Sequence, residues 1–284
     1  MTERVIRPVY REEKRDIPYG ELEHLLISLG EKTNLQRYTD LPPTLTSTEI
    51  ETYANWLTKI SQQSPLYGEL GAYVHIRRNS PTKIVIPTRP DVGKDGITPA
   101  FARKRTTASP VALIHNHPIN SCFSQPRGHD MESFVNGYYD QDDHIQVPVW
   151  VLTTPDDNYL LIRTQETTQT DGWQLYNISY NAVDRSKYLN FRRFGTQTGR
   201  SLNQQHFWEV FDLAEKQYFG GEGVFELFYA SFFGTFNIAQ ECKFGFYHSH
   251  KDGQYRRVTQ KSLEDLLTLR YEQALNNARS ILRF

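Results

Sequence analysis

An α+β fold is what the sequence predicts, and three observations carry that expectation. Helical text opens at Thr46–Thr48 and continues to about residue 62. Short continuous apolar runs, Val111–Ile114 and Ile145–Thr153, have the length of buried strands rather than helices. A second long helical stretch, at about Ser262–Leu282, puts Leu263, Leu266, Leu267, Ala274, Leu275, Ala278 and Ile281 on one side.

Taken in chain order, residues 1–45 read as an N-terminal extension. They are polar, carry Pro8, Pro18, Pro42 and Pro43, and hold one short helix at about Leu22–Leu29. In the next segment Thr46, Ser47 and Thr48 offer caps and Glu49 and Glu51 occupy the first turn. Ile50, Tyr53, Ala54, Leu57 and Ile60 then recur at helical spacing. Leu70–Ile76 and Lys83–Ile86 read as strands around a turn at Asn79-Ser80-Pro81. The run Val111–Ile114 stops abruptly at His115-Asn116-His117-Pro118, which suits a buried strand ending at a functional edge. Met131–Tyr139 reads as a helix. Ile145–Thr153 reads as a strand joined by the turn Pro155–Asn158 to Tyr159–Ile162, a hairpin. The polar stretch Thr164–Gly172 marks a boundary. Beyond it, helical text at Gln204–Gln217, the aromatic run Val224–Phe236 and the closing helix make 172–284 an α+β region of unassigned role.

Composition excludes several functional classes. The chain has 284 residues, and 32 Lys and Arg nearly balance 33 Asp and Glu for a net charge of -1. That balance argues against wholesale binding to nucleic acid or an anionic membrane surface. Mean hydropathy is low, at -0.61, yet 17 Tyr, 16 Phe and 4 Trp supply large apolar areas for a core. No apolar run approaches the roughly 18–20 residues that a membrane helix needs. The opening Met-Thr-Glu-Arg-Val-Ile-Arg-Pro lacks the apolar stretch of a secretory signal. A cytoplasmic location is expected, and export by a signal-independent machine is compatible with it. Cys122 and Cys242 are too few for a disulfide framework or a thiolate zinc site, and are expected as buried, reduced thiols.

The residues that carry chemistry are His115 and His117. Positions two apart on a strand point to one face, so two imidazoles at a strand end approach a single cation, and Pro118 fixes the exit of the chain. A carboxylate close in sequence is expected as third ligand, and Asp130 stands at the start of the next helix, with His129 as its competitor. Two nitrogens and one oxygen leave a fourth tetrahedral position for water, the arrangement of a catalytic zinc site. Such a site needs a general base, for which Glu69 is the candidate and Glu132 the next in line.

This segment resembles the JAB/MPN (JAMM) family of zinc metalloproteases, whose pattern is an upstream Glu, then H-x-H-P, then S/T-x-x-D. The matching pieces are Glu69 in Tyr67-Gly68-Glu69-Leu70-Gly71-Ala72, His115-Asn116-His117-Pro118, Phe123-Ser124 and Asp130-Met131. The resemblance spans about residues 60–165 and implies a metallopeptidase domain over 46–165, a mixed sheet flanked by helices. It implies His115, His117 and Asp130 as ligands of Zn2+, with Glu69 moving protons between the nucleophilic water and the leaving amine. The position three before Asp130 holds Arg127 instead of serine. Either Ser124, six before, polarises the oxyanion across a lengthened loop, or Arg127 supplies that charge. The implied reaction is hydrolysis of a peptide or isopeptide bond in a polypeptide substrate, a ubiquitin-like modifier or a toxin- or effector-type target among them. The alternative is a JAB-like scaffold or recognition module with a degenerate metal site.

A second histidine pair occurs in Gly245-Phe246-Tyr247-His248-Ser249-His250, followed by Ser262-Leu263-Glu264-Asp265. Lys251 stands where the first motif has proline, and a lysine beside two histidines disfavours a cation. Ser262 and Asp265 suit the cap of the last helix. A second metal site, a decayed duplicate of the first domain, a histidine pair gating the first site and a purely structural role are the readings open to this pair.

Overall fold

The computed structural model describes residues 9–11, 18–30, 35–63, 68–77, 80–93, 110–118, 121–123, 130–140, 143–179, 224–265 and 269. Among the described residues, helices α1 (Glu21–Gly30), α2 (Glu49–Gln63) and α3 (Asp130–Asn136) accompany eleven strands. The strands are β1 (Thr44–Thr46), β2 (Glu69–Arg77), β3 (Ser80–Val85), β4 (Asp91–Gly93), β5 (Ala112–Asn116), β6 (Tyr138–Asp140), β7 (Asp143–Ile145), β8 (Val149–Thr153), β9 (Asn158–Ile162), β10 (Gly245–Ser249) and β11 (Gln254–Arg257). Later helices are α4, over residues 172–179, and α5 (Val224–Cys242). Among the described residues, no helix is long and apolar enough to cross a membrane.

The protein is thus mixed α/β, as expected. Its chain falls into two compact units: 1–120, 133–169 and 242–257 form the first, and 121–132, 170–241 and 258–284 the second. The first unit carries an open mixed sheet in the order β1-β11-β10-β9-β8-β5-β2-β3, with β4 also paired to β2. β5 and β8 are parallel, and the β8–β9 and β9–β10 pairs are antiparallel. Consequently β5, β8 and β10 all end at the same edge of the sheet.

Period-two alternation sorts the strand residues onto two faces. Ala112 and Ile114 of β5, Val149 and Val151 of β8, and Leu160 and Ile162 of β9 share one buried cluster with Leu22 and Leu26 of α1 and with Ile50, Tyr53, Ala54 and Leu57 of α2. The residues between them face the other way. There Trp150 meets the ring of Phe134 from α3 at 5.9 Å, and Phe134 meets Phe244 at 5.1 Å. Helices therefore cover both faces of the sheet.

Where elements depart from expectation, local chemistry explains the difference. The strand expected over Ile145–Thr153 is broken at Pro148: β7 pairs with β6 as a separate two-stranded ribbon, and β8 joins the main sheet. The helix expected over Met131–Tyr139 stops at Asn136, because Gly137 adopts φ 77 and its N–H bonds back to the Ser133 carbonyl, a left-handed helix end. Two strands from the expected C-terminal region, β10 and β11, belong to the main sheet. The apolar alternation of Phe246 and the pairing of Gly245–Ser249 with β9 draw them there. Likewise α1, from the expected N-terminal extension, contributes Leu22 and Leu26 to the core at 0% exposure.

In the second unit, α5 buries Phe232, Phe236, Ile238 and Ala239. The N–H of Cys122 donates to Ser231 Oγ at 3.1 Å, and Thr235 Oγ1 lies 3.8 Å from both Cys122 Sγ and Met131 Sδ. Cys122 and Cys242 are both buried. Ser262 exchanges hydrogen bonds with Thr259, capping the helix that begins there. The helical text at Gln204–Gln217 and most of Ser262–Leu282 lie outside the described residues.

Candidate metal centre

The centre is assembled by sheet register. β2 and β5 are antiparallel with Gly71 opposite His115 and Ala72 opposite Ile114, so continuing the pairing two residues sets Glu69 opposite His117 on the same face. Glycine at 71 leaves no side chain beside the His115 ring. The next residue of β5 anchors this edge: Asn116 Oδ1 accepts from the Leu70 N–H at 2.6 Å. On the other flank His117 donates its N–H to the Thr153 carbonyl at 2.9 Å, extending the parallel pairing of β5 with β8. His115 is therefore fixed by backbone ladders on both sides, and His117 by its bond to β8. His115 is 3% exposed and His117 6%.

Two imidazole nitrogens at the end of β5 and a carboxylate oxygen in the first turn of α3 converge: the ligand atoms of His115, His117 and Asp130 all lie within 4.8 Å of one another. The ligands of a tetrahedral zinc ion stand about 3.3 Å apart, so a cluster this tight reaches a common cation by side-chain adjustment alone. The two imidazole rings are 5.3 Å apart at their centroids, and His115 rests edge-on against Trp150 at 5.9 Å. Glu69 Oε1 lies 3.8 Å from His117 Nε2, with the glutamate side chain 25% exposed and the histidine 7%. The acid is thus beside the ligand set without belonging to it, and solvent reaches it. The donor set, N2O, is one that zinc takes at catalytic sites.

The orientation of α3 sets where Asp130 points, and a residue that sequence reasoning missed anchors the opposite end of that helix. The Arg163 guanidinium, 6% exposed, donates from Nη1 to the carbonyl of Phe134 and, at 3.0 Å, to that of Val135. A buried cation on the terminal carbonyls of a short helix satisfies them and complements the helix dipole. Nothing local in Leu161-Ile162-Arg163-Thr164 signals this, since the partners lie 28 and 29 residues away. Arg163→Met should cost on the order of 2–3 kcal/mol by leaving buried carbonyls without a donor. Urea denaturation checks this; a variant of unchanged stability would remove Arg163 from the account.

Of the other residues expected at the site, Ser124, Arg127 and His129 lie outside the described residues. Glu132 is in the first turn of α3 and half-buried. The second pair, His248 and His250, converges on Asp157, in the β8–β9 turn. No family model matches the chain, and no curated protein or solved structure matches it.

Proposed function

We propose that the chain is a zinc-dependent peptidase or isopeptidase, working in the manner of the JAB/MPN metalloproteases that its sequence resembles. One observation carries the reading: the donor atoms of His115, His117 and Asp130 lie within 4.8 Å of one another, and a carboxylate, Glu69, stands beside them. Bound zinc supplies Lewis acidity, which makes water nucleophilic near neutral pH and polarises a carbonyl.

The remaining work falls to the chain. Glu69, beside His117 and reached by solvent, is the group that would accept a proton from water and return it to the departing amine. Leu70 and Asn116 hold β2 to β5 at that point, so Glu69 keeps its position relative to His117. Ser124 takes the oxyanion role by resemblance to the family. The substrate class is a polypeptide, attacked at a peptide or isopeptide carbonyl.

Metal content tests the reading. The purified wild-type chain should hold zinc that survives dialysis, and His115→Ala/His117→Ala should lose that equivalent, measured by plasma emission spectrometry. Zinc content identical in the wild type and the double variant would refute the centre. Retained zinc with no hydrolysis across a panel of fluorogenic peptides and isopeptide-linked conjugates would favour the scaffold reading instead.

A further inference from the structure

The second histidine pair stands on the end of β10, which runs parallel to β5, and the pairings His115 with Leu152, Leu152 with Tyr159 and Tyr159 with His248 put His248 in one cross-sheet row with His115. Directly paired residues share a face, so both pairs project from the same side of the sheet at the same edge. Three strand spacings separate β5 from β10, about 14 Å, too far for one binuclear centre. What stands at β10 is therefore a separate constellation.

Its acid is Asp157. The turn Thr154–Asp157 is closed by Thr154, whose N–H donates to the Asp157 carbonyl at 2.9 Å and whose Oγ1 accepts from the Asp157 N–H at 3.1 Å. This delivers the carboxylate beside the end of β10. Asp157 Oδ1 lies 2.9 Å from His248 Nε2 and 3.0 Å from His250 Nδ1. The two rings are 4.4 Å apart and nearly perpendicular, and Tyr159 Oη donates toward the other carboxylate oxygen at 3.5 Å. The carboxylate side chain is 1% exposed, His248 12% and His250 51%. One desolvated anion with two imidazole nitrogens at ligand-like separation, and an open solvent side at His250, is the arrangement of an N2O cation site with a free fourth position.

We infer that Asp157, His248 and His250 form a second binding site for a divalent cation of the zinc class, a clip that ties the β8–β9 turn to the end of β10. The donor set selects zinc-like metals over magnesium or calcium, which prefer all-oxygen surroundings. Lys251 sets the strength of the site. Its ammonium, carried by the residue after His250, donates to Thr58 Oγ1 at 3.3 Å. That charge competes with a cation for Asp157, so the second site should bind more weakly than the first. The inference stands on β9 and β10 alone and does not require the peptidase reading.

The test uses the full chain with the first centre removed, His115→Ala/His117→Ala, stripped with a chelator and titrated with zinc chloride by calorimetry. About one equivalent should bind, and zinc should raise the Tm of this variant. Adding His250→Ala, a half-exposed and structurally mild change, should weaken binding at least about tenfold, since losing even an outer partner of a ligand costs about 10–100-fold. Adding Asp157→Asn should abolish the zinc-induced rise in Tm. A first-site variant that is folded by circular dichroism and binds no zinc would overturn the inference while leaving the first centre intact. So would equal affinity with and without His250. A wild type that binds one equivalent, lost with His250→Ala and kept with His115→Ala/His117→Ala, would instead refute the first centre and support the second.

Discussion

On the zinc-peptidase reading proposed above, Glu69→Gln should lower hydrolysis by roughly 10²–10⁴-fold, the span of a lost general base, and leave zinc content at the wild-type value. The two readouts separate because of where Glu69 sits. Its Oε1 is 3.8 Å from His117 Nε2, adjacent to the His115, His117 and Asp130 donor set without being part of it. The amide of glutamine has the same shape and still fills the position opposite His117, but it cannot take a proton at neutral pH. Assays over peptide and isopeptide-linked substrates, paired with metal analysis of the same preparations, give the answer. If hydrolysis persists in Glu69→Gln with full zinc, the base lies elsewhere, and Glu132 becomes the residue to replace. If zinc is lost together with activity, Glu69 acts through His117 as a positioning residue and not as the proton carrier.

How much of this centre is readable without coordinates depends on the reach of each interaction. His115 and His117 are legible because strand alternation is local: two positions apart on a run that ends in proline means one face. Asp130 is legible because it opens the next helix. Asp157 is not, since the partner of His248 and His250 lies 91 and 93 residues before them, whereas the S-x-x-D string that follows the pair points downstream to Asp265. The same holds for the sheet edges. Thr44–Thr46 pairs with Gln254–Arg257, a partnership of distant segments that no short period announces, which is why residues 1–45 read as an extension and 172–284 as a separate region. By contrast α2 is plain from its apolar spacing, and the departures at Pro148 and Gly137 follow from one residue each.

The capping of α2 illustrates the same distinction and carries the largest expected effect on stability. Thr46, Ser47 and Thr48 look sufficient to cap it, yet the helix start is held mainly by Glu23 from α1, buried at 0% exposure. Its Oε1 accepts from Ser47 Oγ at 2.8 Å, from the Thr48 N–H at 3.0 Å and from the Ile50 N–H at 2.9 Å. Its Oε2 accepts from the Gly20 N–H at 3.0 Å, closing the start of α1 as well. Ser47 relays the interaction, since its Oγ accepts from the Glu51 N–H at 3.2 Å. Gly20 permits the close approach of the two helix starts, because a Cβ there would stand 2.5 Å from the Thr46 carbonyl oxygen. Hydrogen bonds to a charged group contribute about 1.5–3 kcal/mol each and are not additive. Glu23→Ala therefore should cost on the order of 4 kcal/mol, in the upper tail for single substitutions. At about 2–4 °C per kcal/mol for a domain of this size, Tm should drop by roughly 10 °C. Glu23→Gln, which keeps an acceptor for α2 but presents an amide donor to the Gly20 N–H, should fall between. Differential scanning calorimetry of the three chains decides the matter: Glu23→Ala melting with the wild type would mean that Ser47 and Thr48 cap α2 unaided.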